Sequence, residues 1–217
     1  MDVGNSIRIA IDLFDGDEVD AAMLLACTAV DGTAAKAFGE PTTNQKFTTL
    51  LRDNYDIFGA MAVPGIDLNK TRFPVKLSAP KASGGRPDVA DVIYGIHRCQ
   101  HGHGLELPDG FELVPDVSGE TGRTAMFLER AERGSGAKVA LSDRVVFGLI
   151  AVAVLSPTNI DQHVPDSYYL TYGRQAARLE INDWWGRADD FRASVISVDP
   201  PLSPGVVLDF GDWWGNL

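Results

Sequence analysis

Cysteine is scarce: Cys27 and Cys99 are the two in 217 residues. That excludes the disulfide framework of small secreted domains and leads us to expect a reducing, cytoplasmic setting. Long hydrophobic runs are missing too. The longest, Val145 to Leu155, is well short of the roughly 20 residues that a membrane-spanning helix needs, so no membrane association is expected. The opening Met1-Asp2-Val3-Gly4 lacks the basic stretch and apolar segment of a signal peptide. Basic charge is also short, with 19 Lys and Arg against 30 Asp and Glu and a net charge of −11. This argues against a general nucleic-acid coat, because bulk phosphate binding depends on a basic surface, although a local basic site is compatible with it. What remains is ordinary: 45% apolar and 23% charged residues. Such a composition fits a soluble globular protein long enough to bury a large core.

Hydrophobic periodicity places helices first. Val3, Ile7, Ala10, Ile11 and Phe14 share one helical face, and Gly16 breaks the run. Asp17 is expected to cap a longer helix in which Val19, Ala22, Met23, Ala26, Cys27, Val30, Ala34, Ala37 and Phe38 keep the period. Its small residues suit close approach by a neighbouring helix. Thr42 and Gln45 form a capping box for a third helix, with Phe47, Leu50, Leu51 and Phe58 facing inward. The Pro, Gly and Ser of Pro74 to Pro87 mark a flexible loop. Asp88 caps a fourth helix with Val89, Val92, Ile93 and Ile96 inward. Three β-flavoured stretches follow, Phe111 to Val114, Thr124 to Leu128 and Lys138 to Ala140. Ser142 then caps a helix that is apolar nearly all round, the mark of a buried central element. Further on, Tyr168 to Tyr172 and Arg178 to Ile181 read as a hairpin around Gly173, and Trp184 to about Ala193 as a short helix. The fold class is therefore mainly α (α+β). We expect a single domain over 1–217, with a helical core over about 3–158, a β insertion over about 106–141 and a C-terminal extension over about 159–217.

Reactive side chains concentrate in one segment, His97-Arg98-Cys99-Gln100-His101-Gly102-His103, which holds three of the four histidines. It lies at the end of the fourth helix. Arg98 and His103 are five residues apart, about 140° round an ideal α-helix, and Gly102 would let the helix unwind so that the imidazole swings back. Three readings stay open. Arg98 and His103 could cleave a phosphodiester, since arginine supplies a permanent charged fork and histidine moves a proton near neutral pH. His97, His101 and His103 could bind a metal, given a further ligand such as His163. The third reading is a polar helix end whose cations cap the last carbonyls. Elsewhere the signals are weaker. Ser83 to Pro87 lacks the Gly-Lys-Ser/Thr ending of a phosphate loop, and Cys27 reads as inert core. The echo Asp183-Trp184-Trp185-Gly186 and Asp212-Trp213-Trp214-Gly215 holds all four tryptophans, which are expected to pin peripheral segments onto the core.

Ile96 to Gly104, set at the end of an amphipathic helix, resembles the HEPN superfamily, whose hallmark is Arg, four to six residues, then His. The helix from Leu24 to Phe38 is similar to the long small-residue helix that such proteins pack against the motif helix. The likeness covers about residues 17 to 105 and extends to the buried helix expected after Ser142. It implies a HEPN-like helical bundle and a metal-independent endoribonuclease of toxin or defence type, working as a homodimer with no cofactor. Arg98 would hold the phosphate and His103 would act as general base or acid, with His97, Cys99 and His101 in supporting positions. The RNA 2′-hydroxyl would be the nucleophile. RNA at a local site and a protein partner or antitoxin are the partners implied. A non-catalytic HEPN-like binding module and a metal-binding hydrolase built on the three histidines are the alternatives.

Overall fold

The computed structural model describes residues 2–39, 43–75, 77, 80–100, 111–115, 127–129, 138–173, 177–198, 200 and 205–208. Helix α1 (Val3–Asp15) opens on Asp2, whose carboxylate accepts the Asn5 N–H at 2.7 Å. Val3, Ile7, Ala10 and Ile11 are buried on the expected face, while Phe14 is half-buried, edge-on to Phe147 at 4.5 Å. Asp17 does not cap α2 (Val19–Ala37). It takes a left-handed conformation, φ 63°, to reverse the chain after Gly16, and Glu18 occupies the cap position without a side-chain hydrogen bond. Tight reversals draw on left-handed residues, which Asp tolerates better than most. α2 packs against α1, α3 (Thr43–Asp53) and α6 (Val145–Leu155), so small residues fill more than one of its sides.

The expected third helix is two helices. Asn54 interrupts it, its side chain donating back to the Leu50 carbonyl at 2.9 Å, and α4 (Tyr55–Ala62) starts anew. The bend lets nearly every α4 residue reach the core. Phe47, Leu50 and Leu51 on α3 and Phe58 on α4 are all buried. α6 is the buried central element that its composition predicts, with every residue except Phe147 buried. A methyl at Gly148 would sit 2.7 Å from Ala62 and 2.8 Å from Phe58, so α4 and α6 touch almost backbone to backbone. Thr42 of the capping box lies outside the described residues.

Asp88 does cap α5 (Val89–Val92), accepting the Asp91 N–H at 3.0 Å, and Val89, Val92, Ile93 and Ile96 are buried as expected. From Ile93 to Gln100 the helix continues as a π-helix. The β insertion forms a three-stranded sheet in the order β1 (Phe111–Val114), β3 (Lys138–Ser142), β2 (Phe127–Glu129). β1 runs parallel to β3, with Phe111 opposite Val139, and β2 runs antiparallel, with Phe127 opposite Ala140. Ser142 is the last residue of β3 and not a helix cap; Arg144 takes that position, and the Ser142 hydroxyl accepts its N–H at 3.3 Å.

The hairpin is present as β4 (Tyr169–Tyr172) and β5 (Ala177–Glu180), with Gly173 at φ 71°. The short helix expected from Trp184 begins later, as α7 (Ala188–Phe191) with a π-helical end at Arg192–Ile196. Gly186 delays it: φ is 75°, and a Cβ there would lie 2.9 Å from Ile160. The first tryptophan pair pins this segment. Trp185 is buried, and Trp184 stands edge-on to Phe191 at 5.5 Å. The second, Asp212 to Gly215, lies outside the described residues, as does most of the extended segment before it. Val206 pairs in parallel with Ile66, its N–H on the Gly65 carbonyl at 2.6 Å. The fold is mainly α with small sheets, and one apolar core runs from Val3 to Phe191.

Candidate functional site

Each end of the motif helix carries an arginine–carboxylate centre, and the two centres differ in kind. At its start, Arg52 of α3 reaches Asp88 with Nε to Oδ2 at 2.7 Å and Nη2 to Oδ1 at 3.0 Å. Arg52 Nη2 also lies 2.9 Å from Asp91 Oδ1. Asp91 in turn accepts the Lys81 and Ala82 N–H groups at 2.8 and 2.9 Å, which ties the Pro-rich loop to α5. Leu77 of the same loop rests on Gly95, where a Cβ would come within 3.0 Å of it. Burial pushes the Asp88 carboxyl up, but the Arg52 hydrogen bond and charge outweigh it and hold the group below its usual value. Tyr55 is pushed well above the usual phenol range, by burial first and then by the Asp88 charge. Its hydroxyl accepts the Ala90 N–H at 3.2 Å. Both carboxylates here are buried and supplied with donors. This is a structural clamp.

At the far end, Arg98 Nε donates to Asp31 Oδ2 across the α2 interface. The Arg98 side chain is 33% exposed and that of Asp31 14%. Winding explains the meeting. A π-helix bonds i to i+5, so the roughly 100° per residue of an α-helix does not apply between Ile93 and Gln100. The i+5 partner of Ile93 is Arg98, and Ile93 is fully buried in the core beside α2. In an α-helix the two would diverge by about 140°.

Asp31 is less well served than Asp88. Its Oδ1 is buried and has no hydrogen-bond partner among the described residues. Burial raises its carboxyl above the usual range, and the Arg98 hydrogen bond and charge only partly offset that. A buried polar atom without a partner costs about 1–3 kcal/mol, and groups with perturbed titration gather at functional sites.

Of the residues singled out by sequence, Arg98 is placed at the surface end of the motif helix against α2. His101 and His103 lie outside the described residues, and for His97 and Cys99 the description covers the backbone alone. Among the described residues no group of three His, Cys, Asp or Glu is placed to hold a metal ion. Cys27 is buried core, as expected. The sequence reading missed Asp31. A signal existed: between Ala21 and Ala35 it is the one charged residue, among small and apolar neighbours. It also missed the pairing of Arg52 with Asp88 and Asp91, which sequence separation conceals. An apolar cavity of about 10 Å³ between α4, α6, the hairpin and α7 offers no polar group and room for about one water.

These features define a mainly helical α+β protein whose 19-residue helix α2 carries a half-buried acid facing an arginine on a π-wound neighbour. The chain belongs to the Rv1289 family, whose sequence profile matches residues 2–214. It is 40% identical over 214 residues to uncharacterized protein Rv1289 of Mycobacterium tuberculosis (strain ATCC 25618 / H37Rv). The match covers 99% of this chain and 96% of the relative. Uncharacterized protein Mb1320 of Mycobacterium bovis is similar to the same extent. No solved structure matches. No helix among the described residues is long and apolar enough to cross a membrane.

Proposed function

We propose that this chain is a HEPN-like, metal-independent endoribonuclease of toxin or defence type, acting in the cytoplasm as a homodimer. Arg98 binds the scissile phosphate and stabilises the charge that builds on it. His103 takes the proton from the attacking 2′-hydroxyl or returns one to the leaving 5′-oxygen, and the product is a 2′,3′-cyclic phosphate. The observation that supports this reading most is the partly exposed Arg98, held against Asp31, one of whose carboxylate oxygens has no partner among the described residues. A guanidinium at a partly exposed helix end suits the planar, two-point recognition of phosphate. The contrast with the fully supplied Arg52 clamp sets this end of the helix apart.

A second reading, a non-catalytic HEPN-like module that meets a protein partner, draws support from the net charge of −11. An acidic surface repels RNA everywhere except at a locally positive groove. One experiment separates the two. Protein purified without a His tag and assayed in EDTA should cleave RNA, and Arg98→Ala and His103→Ala should each lower the rate by about 10²–10⁴-fold with the fold intact by circular dichroism. Wild-type protein inert on structured and unstructured RNA would favour the binding module. Full activity in His103→Ala would refute the catalytic assignment.

A further inference from the structure

We propose that the loop tied to the start of the motif helix is a phosphate-tracking surface, on which Arg72 and Lys81 hold the backbone of a single RNA strand. The choice of RNA rests on the nuclease reading, and the choice of a polyanion rests on the loop alone.

Charge is segregated here. Five of the 19 Lys and Arg fall between Lys70 and Arg86, and no Asp or Glu occurs from Asn69 to Pro87. The nearby carboxylates are already committed. Asp88 and Asp91 are 4% and 2% exposed and share Arg52, while Asp67 pairs with Lys70 at 2.9 Å. Arg72 and Lys81 meet no carboxylate side chain among the described residues through their own charged groups. Arg72 lends Nη1 to the Asn69 and Thr71 carbonyls, at 2.9 and 2.8 Å, which steadies its guanidinium. Lys81 is exposed and is bonded through its main-chain N–H. In a chain of net charge −11, two such cations on one acid-free loop call for an anion from outside.

The loop presents them on a tethered frame. The Phe73 N–H donates to the Pro87 carbonyl at 2.8 Å and closes the neck, as in the compact loops that often carry function. Asp91 accepts the Lys81 and Ala82 N–H groups, and Leu77 rests on Gly95. Arg72 therefore adjoins the neck, and Lys81 is anchored at the first turn of α5. Gly95 precedes Arg98 by three residues, so the loop lies along the motif helix toward the candidate site. A strand that places a phosphate at Arg98 can continue over it. Cations on a tethered loop lose less freedom on binding than cations on a loose one.

Such contacts position a strand without reading its bases. They draw on counterion release, so their strength falls as salt rises and any base sequence serves. Because they lie away from the reacting bond, they favour bound substrate and transition state alike and act on KM.

The test measures fluorescence anisotropy of a labelled 2′-O-methyl oligoribonucleotide, which has no free 2′-hydroxyl to attack, over a salt series. Losing two phosphate contacts, Arg72→Gln/Lys81→Gln should bind about 25-fold more weakly at about 0.1 M salt, and its plot of log K against log salt should be shallower by about 1.4. Lys81→Gln alone should give about half that change in slope. Its side chain makes no bond among the described residues, so the change would not come from lost folding contacts. Arg8→Gln, an equal loss of charge on α1, should leave the slope as in wild type. In cleavage assays the double variant should raise KM far more than it lowers kcat. Wild-type protein that binds but does not cleave, with the slope change intact, would end the nuclease reading and leave the loop as an RNA-binding surface. An unchanged slope in the double variant, or no binding by wild type at the lowest salt, would overturn the inference. Equal affinity for poly-glutamate of the same length would overturn it too, and give the loop to an acidic protein.

Discussion

Replacing Arg52 by methionine isolates the clamp at the start of the motif helix. Methionine keeps most of the apolar stem and removes the charge. Three charge-assisted contacts go with it, at 2.7, 3.0 and 2.9 Å, and two carboxylates that are 4% and 2% exposed lose their counter-ion. Breaking a buried pair by removing one partner costs about 3–5 kcal/mol. The low end applies, because Asp91 keeps the Lys81 and Ala82 N–H groups, Asp88 keeps the Asp91 N–H, and the Arg52 side chain is itself 24% exposed. At about 2–4 °C per kcal/mol for a chain of this size, about 3 kcal/mol lowers Tm by about 6–12 °C at pH 7. Acid provides the check. In the wild type Asp88 titrates below its unfolded value of about 3.9, so its contribution is present above that pH and is lost as pH falls through the lower folded value. In Arg52→Met the buried Asp88 carboxylate lacks the cation that holds it down and titrates higher, so acid relieves it by protonation. The gap in Tm between the two proteins should narrow from pH 7 to about pH 3.5, measured by differential scanning calorimetry. A gap below about 2 °C at pH 7, or one that persists undiminished in acid, would refute the electrostatic account of the clamp.

The loop that Asp91 holds should respond separately. Asparagine has one acceptor oxygen, so Asp91→Asn must give up one of the two N–H bonds from Lys81 and Ala82. Limited trypsinolysis should then cut after Lys81 faster than in the wild type, and equal rates would mean that these bonds do not hold the loop. At the α4–α6 contact, Gly148→Ala puts a methyl 2.7 Å from Ala62 and 2.8 Å from Phe58. Overpacking of a tight core costs about 1–3 kcal/mol, and thermal melting should show the loss; a Tm equal to wild type would mean that the two helices separate freely.

Local chemistry in the sequence determined much of the scaffold. The apolar positions of α1 and α5, the all-round hydrophobicity of α6, the Asp88 cap and the hairpin at Gly173 were legible because each depends on neighbours within a turn or two. Where a boundary was misplaced, a tertiary contact had intervened. Asn54 divides α3 from α4 so that α4 can lie on α6, Asp17 turns left-handed to reverse the chain, and Gly186 yields to Ile160. The site divides in the same way. His97 to His103 drew attention as a cluster because reactive residue types stand next to one another in the chain. The partner of Arg98 could not be found from spacing, since it is 67 residues away and is reached only because the motif helix abandons the 3.6-residue period on which spacing arguments depend. A carboxylate alone among small residues hints in the sequence that something must meet it. Packing α2 against a π-wound helix decides that the something is Arg98, because only the folded chain brings the two side chains together, with Asp31 the more withdrawn from water.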